Sequence, residues 1–128
     1  MLRKLIAAAG FSLLASAALA ATPDISGVWH VQGQIVSGNR YVGGASTCTF
    51  VQKDGKLSGS CVGPNASGPL TGFISGNNVA RTYRNIATTS VGINGETGFN
   101  GTYVDAHLIQ GTMTSTASAG KGTFTQTR

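Results

Sequence analysis

Acidic side chains are scarce in this 128-residue chain, with four Asp and Glu against nine Lys and Arg and only two His. So few ionisable groups leave little material for an acid–base pair, and catalysis by proton transfer is not expected. Charged residues make up only 10% of the chain, too few for a disordered polyelectrolyte. Cysteine is limited to Cys48 and Cys61, which excludes a cysteine-rich metal site. Beyond residue 20 no apolar run approaches the ~20 residues that a membrane-spanning helix needs. No G-x-S-x-G, H-E-x-x-H, phosphate-binding glycine loop or calcium loop occurs. No catalytic residue, metal ligand or cofactor is therefore assigned.

What is present divides at residue 20. Arg3 and Lys4 form a positive start, Leu5 to Leu14 an apolar stretch, and Ala18-Leu19-Ala20 a small-residue cleavage signal. That order is the pattern of a secretory signal peptide, residues 1–20, cut before Ala21. It predicts a periplasmic or secreted protein without stable membrane insertion. Residues 21–128 then form a single domain holding all the glycines but Gly10. Its basic residues (Arg40, Lys53, Lys56, Arg81, Arg84, Lys121 and Arg128) form no cluster, so nucleic acid is not expected as a partner.

Helical periodicity is almost missing from this domain. Thr, Val, Ile and aromatic residues alternate instead, and the pattern predicts strands near 25–36, 46–53, 56–62, 69–75, 79–91, 96–104, 107–115 and 120–127. Turn signals separate them, among them Ser37-Gly38-Asn39, Asp54-Gly55, Gly76-Asn77-Asn78, Asn94-Gly95 and Asp105-Ala106. Eight short strands with tight connections predict an all-β, antiparallel, up-and-down barrel, whose closure removes exposed edges. A Gly-x-large repeat (Gly27/Trp29, Gly59/Cys61, Gly72/Ile74, Gly101/Tyr103, Gly111/Met113, Gly122/Phe124) fits the small–large alternation of a barrel interior.

The hairpin carrying both cysteines allows a residue-level expectation. A two-residue Asp54-Gly55 turn pairs Lys53 with Lys56 and Cys48 with Cys61. The latter pair falls on a non-hydrogen-bonded site, where Cα atoms lie ~4.5 Å apart. A cross-strand disulfide is expected there in an oxidising compartment. The same register turns Phe50 and Leu57 inward with the cysteines.

Asp24-Ile-Ser-Gly-Val-Trp29 near the start and Gly122-Thr-Phe-Thr-Gln-Thr-Arg128 at the end resemble the calycin signature of lipocalins and avidins. The resemblance implies that Arg128 packs across Trp29 and closes one end of a calycin-like barrel, a favourable cation–π pairing. An avidin-type pocket lined by several tryptophans is not matched, since Trp29 stands alone. The chain also resembles small periplasmic calycin-like inhibitors of secreted metalloproteases, through Ser26-Gly27-Val28-Trp29 and the single disulfide. That resemblance implies that Ala21 to Asp24 would enter a protease cleft.

Arg81 and Tyr83 share one strand face. With Asn77-Asn78 as the turn, Arg81 lies opposite Ile74 and points inward, where it would need an anionic partner such as a ligand's carboxylate or phosphate. A three-residue Gly76-Asn77-Asn78 loop turns both residues outward, and the sequence leaves both registers open. His30 is expected on the outer face, and His107 at a solvated hairpin tip. The leading expectation is a non-catalytic barrel for a small apolar or anionic ligand. Phe50, Leu57, Ile74, Tyr103, Leu108 and Phe124 would line it, with Arg81 and Tyr83 as anchor. The alternative is an interaction or inhibitor protein acting through loops Ser37–Ala45, Gly63–Gly68 and Ile86–Gly95. Ligand identity and oligomeric state are not legible.

Overall fold

The computed structural model describes residues 21–116 and 120–128, without the side chains of 40–42; the signal peptide expected at residues 1–20 lies outside the described residues. Eight strands follow in order: β1 (Gly27–Ser37), β2 (Arg40–Lys53), β3 (Lys56–Val62), β4 (Ala66–Ser75), β5 (Asn78–Ala87), β6 (Gly95–Asp105), β7 (Leu108–Ser115) and β8 (Gly120–Thr127). Each pairs antiparallel with the next, and β1 pairs with β8, so the sheet closes into an up-and-down barrel. Three hairpin turns and the start of β1 lie at one end. The connections after β1, β3, β5 and β7 lie at the other.

The alternation in the sequence becomes the two faces of the wall. In β1, Trp29, Val31 and Ile35 point in and are buried, while Val28, His30 and Gln32 are exposed. The expected 48:61 pairing holds: Cys48 lies opposite Cys61 in the β2–β3 ladder, bridged by a disulfide with Cα atoms 4.0 Å apart. It depends on the Asp54-Gly55 turn, whose positive φ angles of 52° and 75° are those of a type I′ hairpin.

Three expected features shift. Ser37–Ala45 is not a loop: Ser37 pairs with Arg40 across a two-residue Gly38-Asn39 turn, and β2 runs on from there. The strand expected at 79–91 ends at Ala87. The β4–β5 turn is Gly76-Asn77, because Gly76 takes the positive φ of 55° that the first central position demands. Arg81 consequently faces Gly72 rather than Ile74. A slide of two residues preserves the face, so Arg81 and Tyr83 point inward.

Candidate functional site

The hairpin end of the barrel is filled by its own side chains. Ile25 and Trp29 are wholly buried there, and the Trp29 indole N–H donates to the Ile25 carbonyl at 2.9 Å. The Arg128 guanidinium lies 4.2 Å from the Trp29 ring centroid and donates to the carbonyls of Ala106, Ser26 and Asp24. Gln52 takes the Ile25 N–H on its Oε1 and donates through Nε2 to the Pro23 carbonyl. The segment before β1 is thereby tied across the barrel end. Asp24 joins this clasp, its carboxyl held below the ordinary value by accepting from the Ser26 N–H.

The other end is open. A cavity of about 310 Å³ descends between the strands, walled by Val31, Ile35 and Met113 on one side and by Tyr83, Asn85, Thr97 and Ser115 on another. Phe99 also lines it; Gly44 faces open space, while Gly33, its partner across β1 and β2, makes room for the Met113 side chain. The Thr97 hydroxyl donates to Asn85 Oδ1 at 3.0 Å and lies 3.5 Å from the Ser115 hydroxyl. Val91 and Ile93 from the β5–β6 connection stand at the rim, both largely exposed. That connection is hooked to Asn65 by the Thr88 N–H and the Thr89 hydroxyl. Among the described residues the cavity wall carries no charged side chain. A second, shallower depression on the outer wall, between Gln32, Gln34, Thr123 and Thr125, shares Gly33, Gly43 and Gly44 with it.

Of the residues expected to line a pocket, only Tyr83 is on the cavity wall. Phe50, Leu57, Ile74 and Phe124 are buried in the packed core, Tyr103 packs against that core, and Leu108 is half-buried. The cavity is built instead from Gly33, Gly44, Asn85, Thr97 and Ser115, small and neutral residues with no motif to announce them. Their shared signal is a run of small or polar residues at inward positions near the ends of strands.

Arg81 sits between the two halves. It is 4% exposed, and its guanidinium carbon lies 3.9 Å from the Phe99 ring centroid, 5.2 Å from that of Phe50 and 5.8 Å from that of Phe124. Its Nη2 donates to Gln126 Oε1 at 3.0 Å. Among the described residues the other buried polar side chains are Thr97, Ser115 and Gln126, none of them a carboxylate. Burial without a counter-charge lowers the Arg81 pKa to about 9. Burial also raises that of Tyr83.

Fold and site together define a closed eight-stranded antiparallel barrel, plugged at one end and hollow at the other. No protein-family model matches the chain, and no curated protein matches it either. Among the described residues no group of three metal-ligating side chains comes together, and no helix is long and apolar enough to cross a membrane.

Proposed function

We propose that this is an exported, non-catalytic barrel that binds a small molecule in its open half. The observation that carries the reading is the cavity itself. At about 310 Å³ it reaches the lower bound of ligand pockets, and its lining pairs apolar surface with a few hydrogen-bonding groups, the composition such pockets favour. Export to the periplasm or beyond is supported by the leader pattern and by a disulfide suited to an oxidising compartment. The inhibitor reading draws less support. The segment that would act as its arm is held at Pro23 and Asp24 by Gln52 and Arg128.

Gly44→Leu is the selective test, because a Cβ at Gly44 meets nothing within 4 Å, so the added side chain has open space to enter at the cavity wall. Native mass spectrometry of the wild-type chain from an oxidising compartment should show a small-molecule adduct that is lost on denaturation. The variant should lack it. An apo mass in both proteins, together with no uptake of an apolar fluorescent probe by the wild type, defeats the reading.

A further inference from the structure

The hydrogen bonding around Arg81 is incomplete. Gln126 accepts one of its hydrogens, yet Arg81 Nη1 and Gln126 Nε2 are both buried with no partner among the described residues. Arg81 is 4% exposed and Gln126 0%. Two orphaned donors and one uncompensated charge therefore lie side by side in the barrel. Each unmade bond leaves the desolvation cost of its donor uncompensated, and an unpaired buried charge costs more still. The three phenylalanine rings attract the cation but offer no oxygen or nitrogen acceptor to Nη1.

The position of this pair relates it to the cavity. Arg81 pairs with Phe99 across β5 and β6 and lies two residues from Tyr83, while Gln126 pairs with Val31 across β8 and β1. Phe99, Tyr83 and Val31 all line the cavity, and the Arg81 guanidinium carbon lies 3.9 Å from the Phe99 ring centroid, so the orphaned donors adjoin the cavity lining. Met113, an adaptable side chain, borders the same space. A neutral oxygen could take the hydrogens but would leave the charge. A carboxylate answers both, with one oxygen for each donor and a negative charge for the guanidinium.

Resting on the binding reading above, we infer that the ligand is a small organic monoanion held head-down. Its carboxylate meets Arg81 Nη1 and Gln126 Nε2, and its neutral body fills the cavity. The body is small. At ~30 Å³ for each water-sized atom group, about 310 Å³ holds roughly ten non-hydrogen atoms. A fatty acid of membrane-lipid length is too large to be enclosed.

Calorimetry with size-matched probes tests this on the oxidised chain in chloride-free buffer. Octanoate should bind at least tenfold more tightly than 1-octanol, with octylammonium weakest. Arg81→Met should remove the octanoate advantage and leave 1-octanol unchanged, while Gln126→Leu, which keeps the charge, should reduce the advantage in part. Equal binding of octanoate and 1-octanol overturns the anionic head but leaves the cavity reading standing. Binding of none of the three defeats both. If chloride, titrated alone, saturates the protein and abolishes the octanoate advantage, the donors serve a free inorganic ion and the head-down ligand is wrong. The wild-type probe series decides the matter even if Arg81→Met does not fold.

Discussion

At the closed end, Ile25, Trp29, Phe50 and Ile109 are each no more than 1% exposed, whereas at the open end the same strands turn Gly33, Gly44, Thr97 and Ser115 inward. One wall thus encloses two environments. The lower half spends large side chains on packing, clasped from outside by Arg128 and Gln52. The upper half forgoes that packing and leaves a space lined by hydroxyls, an amide and apolar groups. The difference teaches that dense packing and open space are separated along the barrel axis, with Arg81 at the boundary. Substitutions in the lower half should therefore change folding, and those in the upper half should change occupancy.

The separation can be broken most strongly at Trp29. Trp29→Ala should destabilise the protein by about 3–5 kcal/mol, read from urea denaturation, because it empties the centre of the closed half. Replacing the disulfide with Cys48→Ala and Cys61→Ala should cost about 2–4 kcal/mol by the same measurement, through the freedom returned to the unfolded chain. Arg81→Met should act in the opposite direction, stabilising the ligand-free protein by roughly 1–4 kcal/mol as an unpaired buried charge is lost.

That gain should depend on pH. The folded pKa of about 9 lies well below that of free arginine, so above about pH 9 the unfolded chain holds a proton that the folded chain gives up. Wild-type stability contributed by Arg81 therefore rises from about pH 9 upward, and the gap to Arg81→Met closes. Tyr83, whose raised pKa works in the opposite sense, is common to both proteins and cancels. An Arg81→Met advantage that is constant from pH 7 to 11 would show that the charge is not the cause. The smallest effect belongs to Gly44→Leu, which should leave stability within ~0.5 kcal/mol of wild type while emptying the cavity of ligand.

The closed half was largely legible in the sequence. Period-2 alternation, the Asp54-Gly55 turn and the Cys48/Cys61 spacing act locally, and together they define strand, face and register. The Trp29 and Arg128 contact was legible only through a resemblance, since 99 positions of chain separate the two residues. The open half was not legible. Part of its wall is made of small and polar residues that read as loop formers, so the pattern reads Gly43 and Gly44 as a connection, whereas they continue β2. Large inward residues suggested a lining, but large residues fill space, and a cavity lies where they are missing. Arg81 showed its unusual position only through alternation, and the Gly76-Asn77 turn resolved a face that two plausible loops left open. Gln126 offered no signal at all, because an inward glutamine near a strand's end looks like any edge polar residue until its partner across the barrel is known.

The pairing pattern also orders events in time. Seven of the eight strand pairings join neighbours in sequence, and only the β1–β8 ladder, from His30 to Val36 against Lys121 to Thr127, joins distant segments. Hairpins can zip on their own because the loops they close are short, whereas the seam must bring together strands separated by most of the chain. Seam closure is thus the late, entropically demanding step in folding. Val31 and Gln126 face each other across that seam, so the chamber and its buried cation come into being together, in the last event of assembly.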